Sequence, residues 1–205
     1  MGAGFRPLIV GIGGTTRTGS ASEKALRCAL RFAEETGAKT ELFAGPSLNL
    51  PMYAPDSAAR APEAERLTSA LRRTHGVILS SPGYHGSISG MLKNALDYIE
   101  DMREDALPYL DGRAVGLIAS ASGWQATGST LAALRSIVHA LRGWPTPLGV
   151  AINSAGKVFD DSGAPIDPGI AQQLRILAEQ VVEFARMRSL HDDAKKSARR
   201  GRSKS

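Results

Sequence analysis

The residues best suited to chemistry stand in three short loops. Thr15, Thr16, Thr18, Ser20 and Ser22 surround Arg17 directly ahead of a helical pattern. Hydroxyls, first-turn backbone N–H groups and the positive end of a helix dipole together suit a phosphate, and Arg17 adds a planar charged donor. Neither common nucleotide fingerprint is present. There is no G-x-x-x-x-G-K-[ST], and although Gly11, Gly13 and Gly14 are in place, Thr16 stands where a dinucleotide turn needs its third glycine. The second loop, Pro82-Gly83-Tyr84-His85-Gly86-Ser87, offers mostly backbone groups along which a flat, polar-edged ring can lie. The third, Ser120-Ala121-Ser122-Gly123 with Trp124 behind it, is placed to close the other side. Other chemistries lack their partners: Cys28 has no matched base, His75, His85, His139 and His191 have no metal-ligand spacing, and the carboxylates show no pairing. His85 is read as a lining residue.

These loops need elements to hold them, and the hydrophobic pattern supplies a regular alternation. Pro7–Gly14, Lys39–Ala44, Val77–Leu79, Ala114–Ser120 and Leu148–Ile152 read as strands, most of them continuous apolar runs of the kind covered on both faces. Between and after them, residues 23–36, 62–74, 89–99, 129–142 and 170–184 carry apolar residues at helical spacing, with Ser89 as an N-cap and Pro62 in a first turn. A β-α alternation with right-handed crossovers gives a parallel sheet with helices on both faces. Strand order 2-1-3-4-5, the flavodoxin-like doubly wound α/β solution, sets the loops after strands one, three and four side by side at the carboxyl edge, where such sheets bind ligands. Those are the three unusual loops of this chain.

Composition narrows the setting. A chain of 205 residues suits one domain with a sizeable core. We expect residues 1–188 to form it and 189–205 to be a disordered basic tail, because six cations against Asp192 and Asp193 in the last fifteen residues account for +4 of the net +5. The folded part is then nearly neutral, which argues against a nucleic-acid partner. No apolar run approaches a membrane span and no leader pattern opens the chain, so a cytoplasmic protein is expected. The single cysteine falls among helix residues as a buried, inert thiol.

A ring between two backbone loops with a monophosphate on a third is the arrangement expected for flavin mononucleotide (FMN). A resemblance agrees. Gly14-Thr15-Thr16-Arg17-Thr18-Gly19-Ser20-Ala21-Ser22 is similar to the G-S-x-R-x-x-S-x-N phosphate loop of the NADPH-dependent FMN reductase family. The stretch Pro82–Tyr98 (PGYHGSISGMLKNALDY) resembles that family's P-E-Y-N-x-S-x-P-G-x-L-K-N-x-L-D-W. The resemblance implies phosphate contacts from Thr15, Arg17, Ser20 and Ser22, and a ring-contacting loop at Pro82, Gly83, Tyr84, His85, Gly86 and Ser87. Ser120, Ser122 and Gly123 match the third loop more loosely. Gly83 replaces Glu, His85 replaces Asn and Ser89 replaces Pro, departures that bear on substrate choice and nicotinamide docking.

The implied function is an FMN-dependent oxidoreductase that passes hydride from NADPH or NADH through FMN to a small-molecule acceptor. Free flavin for a partner monooxygenase, a quinone, an azo compound or a metal oxyanion all suit that role. A homodimer or homotetramer is implied, with Tyr109, Leu110 and residues 153–168 as candidate contacts. Two alternatives keep the fold: a flavodoxin-type electron carrier, against which Arg17 and the near-neutral domain argue, and a pathway-specific flavin-modifying enzyme.

Overall fold

The computed structural model describes residues 4–57 and 59–202. Five parallel strands, β1 (Leu8–Gly13), β2 (Lys39–Ala44), β3 (Gly76–Pro82), β4 (Ala114–Ala121) and β5 (Trp144–Asn153), form one sheet in the order β2-β1-β3-β4-β5. Alternate residues of each strand face opposite layers. Ile9, Ile78 and Ile118 pack under helices α1 (Ala21–Glu35) and α5 (Pro168–Arg202). Val10, Val77, Leu79 and Leu117 pack under α2 (Pro62–Arg73), α3 (Gly90–Asp97) and α4 (Trp124–Ala140). β3 and β4 are buried along their whole length, which accounts for their unbroken apolar patterns.

Three elements differ from the sequence reading. Helix α4 begins at Trp124, five residues earlier than the apolar stripe suggested, because its small polar residues bond back into the helix: Thr127 Oγ1 donates to Trp124 O (2.8 Å) and Thr130 Oγ1 to Ala126 O (2.7 Å). The third loop therefore shrinks to Ser122-Gly123. Strand β5 begins at Trp144 despite Pro145 and Pro147, which an edge strand tolerates, and the register shifts where it passes Val115 to Leu117. The basic end, expected to be a disordered tail, is instead helical as far as Arg202. Residues 189–200 hold no Gly or Pro to stop a helix, and Arg188 pairs with Asp192 one turn on (3.3 Å). Residues 203–205 lie outside the described residues. Among the described residues no helix is long and apolar enough to cross a membrane.

Cys28 is buried as expected, and burial pushes its thiol above the usual cysteine range. The tightest backbone contact lies at the carboxyl end of β1. A Cβ added to Gly13 would stand 2.0 Å from Ser80 O, so β1 and β3 approach here as only glycine permits. We expect Gly13→Ala to lower stability by about 3 kcal/mol. Gly128 is the opposite case: it lies inside α4 with open space around its missing Cβ. Gly128→Ala should raise stability by about 0.8 kcal/mol. Urea denaturation of the two variants checks both signs.

Candidate functional site

The first loop is built by a chain of short contacts from β3 outward. Gly14 N–H donates to Ser80 O (3.0 Å), and Ser80 Oγ donates to Ser22 O (2.8 Å), fixing where α1 starts. Ser20 is the N-cap, its Oγ accepting from Glu23 N–H (3.3 Å). Glu23 reaches back to accept from Gly19 N–H (3.0 Å) and is held by Arg27 (2.7 Å). Ser20 Oγ and Ser22 Oγ lie 3.2 Å apart; whichever donates, the other keeps a proton for a ligand. The first-turn N–H groups of Ala21 and Ser22 have no acceptor inside the helix. Thr15 Oγ1 is committed to the loop itself, accepting from Arg17 N–H (3.0 Å) and facing Arg17 O (3.1 Å). Thr15 thus shapes the turn that presents Arg17, whose side chain is exposed.

The second loop leaves β3 through Ser81, whose buried Oγ accepts from Ser89 N–H (2.9 Å) and so seats the cap of α3. Gly83 N–H donates to Ser120 O (2.8 Å), extending the β3–β4 pairing by one step. Tyr84 and Ser87 exchange two backbone hydrogen bonds (2.9 and 3.0 Å) around His85 (φ 49°) and Gly86 (φ 87°), a two-residue turn in the left-handed region. The N–H groups of Tyr84 and Ser87 are thus consumed inside the loop and that of Gly83 by β4. What this loop turns toward the cleft is therefore its Pro82–Gly83 backbone and the half-exposed Tyr84 ring.

All three loops meet in one cleft of about 390 Å³. It brings together Thr15, Arg17, Ser20, Ser22, Pro82, Gly83, Tyr84, Ser120 and Ser122, and no carboxylate lines it. His85, Gly86, Ser87 and Gly123 fall outside the lining: the first three form the turn behind Tyr84, and Gly123 precedes α4. Thr16, Ala21 and Ala121, named in the loops but given no contact role, also line the cleft, and so does Ser154, which the loop patterns did not include. Ser154 was the hardest to foresee. It stands one residue past β5, its N–H donating to Ala121 O (2.8 Å), and only the β4–β5 register brings it to the site.

With this geometry in place, the comparisons with known proteins are specific. A model of the NADPH-dependent FMN reductase family matches residues 7–157. The chain belongs to this family. The FMN-dependent NADPH-azoreductase of Staphylococcus aureus is 34% identical over 110 residues, covering 53% of this chain and 55% of that protein. The chain thus spans about half the length of the curated relatives it matches. FerB, a flavoenzyme NAD(P)H:(acceptor) oxidoreductase from Paracoccus denitrificans, superposes with a TM-score of 0.72 at 22% identity, over 89% of this chain and 98% of its own. RosB, solved with bound 8-demethyl-8-formylriboflavin-5′-phosphate, superposes with a TM-score of 0.73 at 15% identity, over 97% and 88%. Identities this low speak to the fold.

The departures from the family motif now have physical causes. A Cβ at Gly83 would meet Thr130 Oγ1 at 2.6 Å and Ala126 O at 3.2 Å, so the early start of α4 leaves no room for the usual glutamate. His85 takes the left-handed position where the motif has asparagine, a residue that tolerates it better. Asn94, which matches the motif, and Tyr98, which stands where the motif has Trp, are clamps. Asn94 Oδ1 accepts from Tyr53 N–H (2.8 Å), Asn94 Nδ2 donates to Pro51 O (2.9 Å), and Tyr98 Oη donates to the same carbonyl (3.0 Å). Arg60 completes the clamp with two 2.8 Å bonds to Asp101 and its guanidinium over the Tyr53 ring (4.9 Å).

The Arg60 guanidinium holds the Asp101 carboxyl below the usual carboxylate range. A depressed pKa contributes stability that is complete above the ordinary carboxylate value and is lost as pH falls through the depressed one. Asp101→Asn should therefore cost about 2 kcal/mol at neutral pH, and the gap to the parent protein should close in acid, read by urea denaturation at both pH values.

Proposed function

We propose that this protein is an FMN-dependent NAD(P)H oxidoreductase acting on a small planar acceptor. The observation that carries this reading is the convergence, in one carboxylate-free cleft, of the α1 first turn, Arg17 and a serine pair with a spare proton, opposite two backbone edges. That donor set fits a phosphate dianion. The Pro82–Gly83 edge and the Ser120–Ser122 edge bracket a flat ring, and the missing side chain at Gly83 keeps the wall thin.

When bound, FMN supplies the redox chemistry, taking hydride from a reduced nicotinamide and giving electrons to a second acceptor. The protein's own residues bind and orient. Arg17 and the α1 N–H groups anchor the phosphate end, Thr15 fixes the turn that carries Arg17, and Ser80 and Ser81 lock both neighbouring loops to one strand. No side-chain acid or base is required at the ring, in keeping with the absence of a carboxylate or histidine from the cleft's lining. Tyr84, half-exposed, and Trp124, two-thirds exposed beside the third loop, offer aromatic faces that favour an azo compound or quinone over a metal oxyanion. The azoreductase relative supports that choice, and free flavin for a partner monooxygenase remains within the same class of planar acceptor. A homodimer or homotetramer is part of the proposal, checked by light scattering of the purified protein.

The test is reconstitution with FMN followed by NADPH and NADH oxidation against an azo dye, a quinone, free flavin and a metal oxyanion. Turnover with a planar acceptor is expected, and no oxidation of either nicotinamide with any acceptor would sink the reading. Arg17→Ala should weaken FMN affinity about ten- to hundredfold, the loss of one charge-assisted contact. Flavin fluorescence titration measures it, and an unchanged affinity would remove Arg17 from the phosphate site.

A further inference from the structure

A second cleft, of about 640 Å³, opens at the other end of the sheet, where the last turns of α4 meet the start of β5. The ten residues of β5 begin here and end beside Ser154 of the first cleft, a separation of about 30 Å. Arg135, His139 and Arg142 stand four and three residues apart on one stripe of α4 and its closing turn. Trp144, Pro145 and Pro147 supply the β5 side, and no carboxylate lines the cleft. The cations are placed without being neutralised. The Arg135 guanidinium lies over Gly149, where a Cβ would come within 3.0 Å of Nη2, so the bare strand makes room for it. Arg142 takes the left-handed position that closes α4 (φ 61°), where glycine is usual, and lays its guanidinium over the Tyr109 ring (5.4 Å). Stacking uses a guanidinium's face and leaves its N–H edge free. Among the described residues no hydrogen bond or ion pair engages the side chains of Arg135, His139 or Arg142. Trp144 rests on Phe184 (ring centroids 5.7 Å) and is still 58% exposed.

We infer that this cleft is a second ligand site, for a small aromatic anion of nucleoside-monophosphate size, with the ring on the Trp144 indole and the phosphate on Arg135 and Arg142. An indole face stacks any flat heterocycle, and guanidinium edges beside it suit a phosphate dianion. The volume is that of a small-molecule pocket. An added protein strand is the poorer occupant. Pro145 and Pro147 have no N–H to offer along this edge, and Leu148 N–H already donates to Gln180 Oε1 (3.3 Å). The inference stands apart from the oxidoreductase reading, since the two clefts share no residue.

Fluorescence titration of the FMN-loaded protein tests it, in a Trp124→Phe background that leaves Trp144 as the only tryptophan. Adenosine 5′-monophosphate should quench Trp144 and bind at least tenfold more tightly than adenosine, which lacks the anion. It should also bind at least tenfold more tightly than inorganic phosphate, which lacks the ring and is measured by displacement. Arg142→Gly removes the cation while giving the left-handed position the residue that suits it. Its melting temperature should therefore match or exceed the parent's while its affinity for adenosine 5′-monophosphate falls at least tenfold. Arg135→Gln, which leaves the backbone of that turn untouched, should weaken binding to a similar degree. No quenching of Trp144, equal affinity for adenosine and its monophosphate, or undiminished affinity in both variants overturns the inference. Turnover plays no part in these readouts, so they report on this cleft whether or not the protein oxidises a nicotinamide.

Discussion

The backbone contact between Gly13 and Ser80 is the constraint on which the site depends. The absence of a side chain at Gly13 lets β1 run against β3 so closely that Gly14 N–H reaches Ser80 O. Ser80 then uses its hydroxyl to hold Ser22 O, and the next residue, Ser81, holds Ser89 N–H. Two consecutive buried serines on one central strand thereby fix the starts of two helices on opposite faces of the sheet. An apolar strand ending in two hydroxyls is a poor core segment but a good hinge-free anchor, because each hydroxyl replaces a hydrogen bond that a bare loop would leave to water.

From that anchor the rest of the cleft follows with little freedom. Gly83 continues the ladder to Ser120, and Ser154 continues it to Ala121, so all of the floor is sheet hydrogen bonding carried one step past the strand ends. What rises above the floor differs in kind. The Arg17 loop is held by its own threonine and by Glu23, whereas the Tyr84–Ser87 turn closes on itself through two backbone bonds. A loop that satisfies its own polar groups presents a fixed face to a ligand without needing the ligand to order it, which reduces the entropy that binding must overcome.

Much of this was legible in the chain. The strand order followed from the alternation of apolar runs and helical stripes, and the three loops were marked by clusters of Gly, Ser, Thr and Pro at the carboxyl ends of strands. What was hidden had specific physical reasons. The α4 start was masked because residues 124–128 read as loop, yet Thr127 bonds through its hydroxyl to Trp124 O and so belongs to the helix. Ser154 carries no local signal, since only the pairing of β4 with β5 brings it to the cleft. Asn94 matched a family motif without revealing a role, because its partners are the backbone of residues 50–53, more than forty positions away. The basic end was read from charge alone, while a helix needs only compatible residues and the start that α5 already provides.

Two of the three departures from the family pattern, Gly83 and His85, lie in the loop that α4 backs. Because that helix begins at Trp124, its first turns occupy the space a side chain at position 83 would need, and Thr130 Oγ1 comes within 3.5 Å of Ser87 O. The wall of the cleft that elsewhere carries a glutamate is here a bare backbone backed by a helix. A bare backbone here lacks both the bulk and the fixed negative charge that a carboxylate would bring to this side of the cleft. His85, displaced behind the turn, does not restore that charge. The character of this wall is thus set less by the loop sequence than by where the neighbouring helix starts.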